Sequence, residues 1–114
     1  MAREILPALD DILDAISGIE RVVADKTFHD FESDWLLRRS VERAIEIISE
    51  ASRRIPPALK ETRPEIPWRD VATIGNILRH EYHSIAAPII WGVVQNDLPA
   101  LKTAIEALAR ERNA

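Results

Sequence analysis

The chain has 114 residues, of which 46% are hydrophobic, 30% are charged and only 3 are glycine, a composition typical of one helical globular domain. It contains no cysteine, which excludes disulfide bonds, thiolate zinc sites and a cysteine nucleophile, and makes a reducing cytoplasm the expected compartment. The net charge of −4 is uneven, with −6 over residues 1–50 and +2 over residues 51–114, so any RNA contact must come from a local pocket or an assembled groove.

Apolar residues at three- and four-residue steps predict a first helix over about residues 3–24. A polar and aromatic stretch, DKTFHDFESDW, intervenes before the next helical pattern begins. That second pattern follows apolar residues from Leu37 to Ile55 and stops at Pro56 and Pro57, because proline lacks an amide proton and restricts the residue before it.

The segment PPALKETRPEIPW holds four of the 7 prolines and is predicted to be an extended connector. Its last proline, Pro67, suits the first turn of a third helix that starts near Trp68 and ends between Tyr82 and Ser84. We expect the third helix to direct these apolar residues inward: Val71, Ile74, Ile77 and Leu78.

The remainder of the chain predicts two further helices. Ser84 can cap a fourth helix that runs through Val94, and Asp97, with Pro99 just behind it, can start a fifth. The fifth helix would face inward with Leu98, Leu101, Ile105 and Leu108. The predicted fold is all-α: an antiparallel up-and-down bundle of about five helices with short loops, forming one domain over residues 1–114.

The sequence predicts neither a membrane span nor a signal peptide. The longest nearly unbroken apolar run, Ile85 to Val94, is about half of the roughly 20 residues that a span requires. The N-terminal residues MAREILPALDD carry charges where a signal peptide needs an apolar core. We therefore expect a cytoplasmic protein without membrane association.

One short stretch, GNILRHEYHSI, concentrates polar side chains at the end of the third helix. At about 100° per residue, Asn76, His80 and His83 share a narrow arc, Arg79 lies beside them and Tyr82 lies on the other flank of Arg79. Two interpretations are open at this point. The stretch is either a solvated helix face with structural hydrogen bonds, or a catalytic cluster.

The other patterns in the chain do not identify a function by themselves. The arginine pairs Arg38-Arg39 and Arg53-Arg54 flank the second helix, either as solvated faces or as part of an RNA groove in a dimer. No spaced set of histidine, aspartate and glutamate predicts a metal site, and no glycine-rich phosphate loop occurs. Neither a metal nor a cofactor is expected.

Four segments, in order and spacing, resemble the HepT-like family of the HEPN superfamily: AIEIISEASRRIPPAL, RPEIPW, IGNILRHEY and IIWGVVQNDLPAL, within about Ser40 to Leu108. The resemblance implies an all-helical bundle that forms a homodimer. It also implies a toxin of a toxin-antitoxin pair, acting as a metal-independent ribonuclease. The implied partner is a minimal nucleotidyltransferase (MNT) antitoxin, which in some systems transfers AMP onto a toxin tyrosine.

The working motif of this family is an arginine, four intervening residues, a histidine, one residue and a tyrosine, commonly with asparagine directly after the arginine. On this chain the histidine is His80, the tyrosine is Tyr82 and the asparagine is Asn76. The arginine position is Gly75, and Arg79 is the evident substitute.

A metal-free RNA cleaver needs a base for the ribose 2′-hydroxyl and a cation for the phosphate. We assign the acid-base role to His80 and the phosphate role to Arg79. Asn76 would orient His80 or the phosphate through a hydrogen bond, and His83 would be an auxiliary proton carrier across the dimer. Tyr82 either caps the helix end through its hydroxyl or, by resemblance, accepts AMP. The alternative function is a catalytically weak or inactive member that binds nucleotide or RNA, or regulates the transferase.

Overall fold

The computed structural model describes residues 2–80 and 87–113, including the side chains of residues 5–79 and 87–112. The elements in chain order are α1 (Ala2–Val23), α2 (Phe28–Ser33), α3 (Trp35–Ser52), α4 (Pro57–Lys60), α5 (Trp68–His80), α6 (Ala87–Gly92), a π-helical segment (Val93–Asp97) and α7 (Leu98–Asn113). All elements of the described residues are helical, which confirms the predicted all-helical bundle.

The long helices pack as antiparallel neighbours. α1 contacts both α3 and α7, and α3 also contacts α5. Arg54, just after α3, pairs with Asp11 in the first half of α1 at 2.7 Å. Lys102 near the start of α7 pairs with Glu20 near the end of α1 at 3.1 Å. α3 therefore lies between α1 and α5, and α1 lies between α3 and α7.

The apolar faces of these helices form the core, as their periodicity predicts. Leu98, Leu101, Ile105 and Leu108 are all buried in α7. One prediction for α5 is wrong, since Ile77 is exposed although Leu78 beside it is buried. At 3.6 residues per turn two adjacent residues cannot both face the core fully, and Leu78 takes the inward position.

The stretch between α1 and α3, which we predicted as a polar and aromatic interruption, contains a helix. α2 forms because Thr27 and Asp30 make a reciprocal capping box, in which each side chain accepts a hydrogen bond from the other residue's backbone amide. Phe31 is fully buried, and its ring lies 5.3 Å from the ring of Trp91 in α6. A cap and an aromatic contact thus stabilise a helix too short for periodicity to reveal.

The proline-rich connector is more structured than predicted. Pro57 occupies the first position of the one-turn helix α4, where its missing amide proton costs no hydrogen bond. The indole Nε1 of Trp68 donates to the backbone oxygens of Lys60 at 3.1 Å and Arg63 at 3.0 Å. These bonds hold the connector against the start of α5, which begins at Trp68 as predicted.

The last predicted helix begins where it was expected, since α7 starts at Leu98, but no break precedes it, because the helix continues from α6 into α7. Gly92 and Leu98, which flank the π-helical segment, both have right-handed helical backbones, and the Leu98 amide donates to the Val93 carbonyl five residues back. This wider turn lies directly before Pro99, whose ring would crowd a carbonyl in a regular α-helix. The predicted fourth-helix cap, Ser84, lies outside the described residues.

Candidate functional site

Two small residues, Ser49 in α3 and Gly75 in α5, are in direct contact. The Gly75 amide donates to Ser49 Oγ at 3.1 Å, and Ser49 Oγ donates to the Ala72 carbonyl at 2.8 Å. Both Ser49 and Gly75 are buried, and a Cβ at position 75 would overlap the Ser49 side chain. The position of the family arginine therefore faces the neighbouring helix.

Two of the predicted site residues are brought together on α5. Arg79 Nη2 donates to the side-chain oxygen of Asn76 at 2.7 Å, across one turn of the helix. His80 is the last residue of α5, and its side chain lies outside the described residues. Tyr82 and His83 lie outside them as well. Of the residues in the predicted cluster, the structure therefore describes the side chains of Arg79 and Asn76.

A groove of about 410 Å³ opens between α3 and α5 above the Ser49–Gly75 contact. We call it the arginine groove, and its lining residues are Arg43, Glu46, Ser49, Glu50, Arg53, Arg54, Gly75 and Arg79. The lining side chains, four arginines and two glutamates, carry a formal charge of +2, and Asp11, paired with Arg54, reduces it to +1 in a chain with a net charge of −4. The acidic chain therefore has a local cationic surface of the kind an RNA contact would require.

The contribution of α3 to this groove was missed by the sequence interpretation, which placed the candidate catalytic residues on the third helix alone. The signal in the sequence is the Arg53-Arg54 pair, which suits either a solvated face or an RNA groove in a dimer. Arg53 Nη2 donates to the Ala72 carbonyl at 2.7 Å and so reaches from the end of α3 to α5.

A further cation lies near Arg53. Burial of Lys60 lowers the pKa of its ammonium group below the ordinary value, and the positive charge of Arg53 lowers that pKa further. The Lys60 ammonium also lies 5.9 Å from the ring centroid of Trp68. Lys60 is thus a second cation beside Arg53, on the connector.

Guanidinium groups held in this way can bind an anion with several oxygens. Each carries five donors in a planar fork that matches phosphate or carboxylate. A groove with arginines on both walls suits an extended anion better than a single small one, because the charges are distributed along it. Within the described residues, no cluster of three or more His, Asp or Glu side chains could hold a metal ion. Nor is any helix in that part of the chain long and apolar enough to cross a membrane.

Comparisons with known proteins agree on one family. Residues 12–108 match the family model described as "Ribonuclease HepT-like". A protein of Thermococcus cleftensis named "Probable ribonuclease HepT" is 40% identical over 102 residues, covering 90% of this chain and 93% of that protein.

Two further relatives carry ribonuclease names. "Putative RNase MJ1380" of Methanocaldococcus jannaschii is 34% identical over 104 residues, covering 91% of this chain and 95% of its own. "Putative RNase TTE0752" of Caldanaerobacter subterraneus is 32% identical over 107 residues, covering 93% and 96%. No solved structure matches the chain.

Proposed function

Because the chain belongs to the ribonuclease HepT-like family of the HEPN superfamily, we propose that it is a metal-independent endoribonuclease that cleaves RNA at the arginine groove. The observation that carries this proposal is the Arg79–Asn76 hydrogen bond of 2.7 Å. This hydrogen bond orients the guanidinium group of Arg79, the residue before His80, on the wall of a groove with a positive local charge.

The proposed chemistry requires a proton acceptor and a phosphate-binding cation from the protein. His80 takes the proton from the ribose 2′-hydroxyl, whose oxygen attacks the adjacent phosphorus while the bond to the 5′-oxygen breaks. The leaving 5′-oxygen takes up a proton from the auxiliary carrier His83 or from water, and the product is a 2′,3′-cyclic phosphate. Arg79 binds the phosphate oxygens, whose negative charge grows in the transition state. Asn76 orients Arg79, and His83 is proposed as an auxiliary proton carrier.

We further propose that the protein is the toxin of a cytoplasmic toxin-antitoxin pair and acts as a homodimer, in which the arginine groove forms part of the dimer cleft that cleaves RNA. Its partner would be an MNT-type nucleotidyltransferase antitoxin that transfers AMP to Tyr82. A bulky anionic nucleotide next to the groove would block RNA through steric overlap and charge repulsion. The support for this part of the proposal is the family membership and the motif around His80.

A second candidate function is favoured by the glycine at position 75. The family motif has an arginine there, and Gly75 is instead packed against Ser49 with no space for a side chain. If Arg79 does not replace the missing arginine, the protein would bind RNA or nucleotide, or regulate the transferase, without cleaving RNA. The arginine groove would then be a binding surface only.

An RNA cleavage assay on purified protein in the presence of a chelator tests the proposal. We expect cleavage of single-stranded RNA by the wild type and its loss in His80→Ala and Arg79→Ala. Circular dichroism should show that both variants keep the helical content of the wild type. Cleavage at the wild-type rate by His80→Ala would reject the catalytic assignment, and no cleavage by the wild type would favour the binding function.

A further inference from the structure

Two of the four arginines in the arginine groove are paired with carboxylates, and the other two are bonded to neutral oxygens. Arg54 Nη2 contacts a carboxylate oxygen of Asp11 at 2.7 Å, which makes this pair neutral overall. Arg43 faces Glu46 at 3.4 Å on its own helix and is likewise compensated by a carboxylate. The charge of these two arginines is therefore largely cancelled within the protein.

The other two arginines of the groove are held by neutral oxygens. Arg53 donates to the carbonyl of Ala72 at 2.7 Å, and Arg79 donates to the amide oxygen of Asn76 at 2.7 Å. Among the contacts of the described residues, neither guanidinium meets a carboxylate within 4.0 Å. A hydrogen bond to a neutral oxygen fixes the direction of a guanidinium without cancelling its charge, and it leaves most of the five donors available.

The guanidinium groups of Arg53 and Arg79 are both anchored on the same stretch of α5. Their anchors, Ala72 and Asn76, are one helical turn apart, which is about 6 Å along the helix axis. Arg53 reaches this stretch from α3, because the Ser49–Gly75 contact brings the two helices close together. Both side chains are exposed, so an anion in the groove can reach both.

We propose that Arg53 is a phosphate-binding residue of the arginine groove and holds the RNA phosphate next to the one held by Arg79. The inference rests on the proposed function, in which RNA occupies this groove. It adds a contact from α3 to a site that the family motif places on α5 alone. Because the two arginines are anchored one helical turn apart, we assign each of them its own phosphate of the same strand.

Salt-dependent binding tests this assignment separately from cleavage. The probe is a short, fluorescently labelled single-stranded oligonucleotide with 2′-O-methyl groups, which cannot be cleaved through the 2′-oxygen. Each arginine that neutralises a phosphate adds about 0.7 to the slope of log affinity against log salt. We expect Arg53→Gln to lower the slope by about this amount and to weaken binding about fivefold at moderate salt.

Two variants with matched chemistry control the experiment. Arg110→Gln removes an exposed charge in the last turn of α7 and tests the effect of net charge alone. Arg53→Lys keeps the charge and should keep the slope.

The outcomes distinguish this inference from the proposed function. Equal slopes for wild type and Arg53→Gln, an equal loss in Arg110→Gln, or no binding by the wild type would each overturn the phosphate site. If the wild type binds with the full slope and Arg53→Gln lowers it, the phosphate site stands even when unmodified RNA is not cleaved. Cleavage with an unchanged slope would leave the proposed function intact and remove Arg53 from the site.

Discussion

The backbone amide of Gly75 lies 3.1 Å from Ser49 Oγ, and this contact leaves no room for a side chain at position 75. A Cβ built on Gly75 would lie 2.5 Å from Ser49 Oγ and 2.6 Å from Ser49 Cβ, both far inside van der Waals contact. Ser49 is 2% exposed and is also bonded to the Ala72 carbonyl, so it cannot simply rotate away. Glycine is required here by the close approach of two helices.

Gly75→Ala should therefore destabilise the protein, although alanine normally stabilises a helix relative to glycine. We expect a loss of about 1–3 kcal/mol in the free energy of unfolding, since the added methyl group must push α3 and α5 apart. Gly18→Ala is the matched control, because the nearest atom to a Cβ there is 3.9 Å away. That variant should gain about 0.5–1 kcal/mol.

Urea unfolding of both variants measures these changes, and a double variant identifies their cause. Ser49→Gly removes the overlapping atoms, so Gly75→Ala should cost less in that background than in the wild type. An equal cost in both backgrounds would show that the contact with Ser49 is not the reason for the glycine.

The contact between Ser49 and Gly75 also determines what an arginine at position 75 would do. Gly75→Arg restores the arginine of the family motif, but the Cβ of that arginine would overlap the Ser49 side chain. We expect a less stable protein whose RNA cleavage is no faster than that of the wild type. Thermal unfolding and the cleavage assay in chelator measure both quantities. A stable Gly75→Arg variant with faster cleavage would show that Arg79 has not taken over the role.

Periodicity predicts the long helices of this fold, whereas the short elements depend on contacts that periodicity does not contain. The helical pattern from Leu37 and the start of α5 at Trp68 follow from apolar spacing and prolines. α2 depends on a local cap and on an aromatic contact with Trp91, about sixty residues further along the chain. The π-helical segment absorbs Pro99 within one continuous helix, which helix-start signals cannot anticipate.

The candidate site divides in a similar way. Asn76 and Arg79 share one helix, and their spacing of three residues is enough to place them together. Arg53 and Ser49 belong to another helix, and their approach to α5 is a result of tertiary packing. The small side chains at positions 49 and 75 permit this approach, but a serine and a glycine alone do not indicate which helices meet.

Asn76 is predicted to hold Arg79 in position while leaving its charge uncancelled. Asn76→Asp would replace the neutral acceptor by a carboxylate of nearly the same shape and so neutralise Arg79, as Asp11 neutralises Arg54. We expect kcat/KM for RNA cleavage to fall at least about tenfold. Asn96→Asp makes the same change of charge at an exposed position of the π-helical segment and should change kcat/KM less than about twofold. Equal effects of the two substitutions would assign the loss to net charge.

Modification of Tyr82 has an unusually clear readout, because it is the only tyrosine in the chain. Under the proposed neutralisation, incubation with the proposed MNT-type partner and ATP should add about 329 Da per AMP to the intact protein. Mass spectrometry of wild type and Tyr82→Phe decides the acceptor. An adduct retained by Tyr82→Phe, or no adduct on the wild type, would remove Tyr82 from the proposed neutralisation.

The capping box of α2 predicts a defined pH dependence of stability. The backbone hydrogen bond from Thr27, and then the bond to its side chain, hold the pKa of Asp30 below its ordinary value. The folded protein therefore binds this proton less readily than the unfolded chain does. The stabilisation is fully present above the unfolded pKa of about 3.9 and is lost as pH falls through the lower folded value.

Asp30→Asn removes the titrating group and should reduce thermal stability near neutral pH. The difference in Tm between the wild type and Asp30→Asn should then shrink as pH is lowered below about 4, because protonation removes the same charge from the wild type. Thr27→Ser keeps the hydroxyl acceptor and the backbone amide, so it should retain the pH dependence of the wild type. A Tm difference between wild type and Asp30→Asn that is constant from neutral to acidic pH would contradict the assignment, since the Asp30 carboxylate would then contribute nothing to α2.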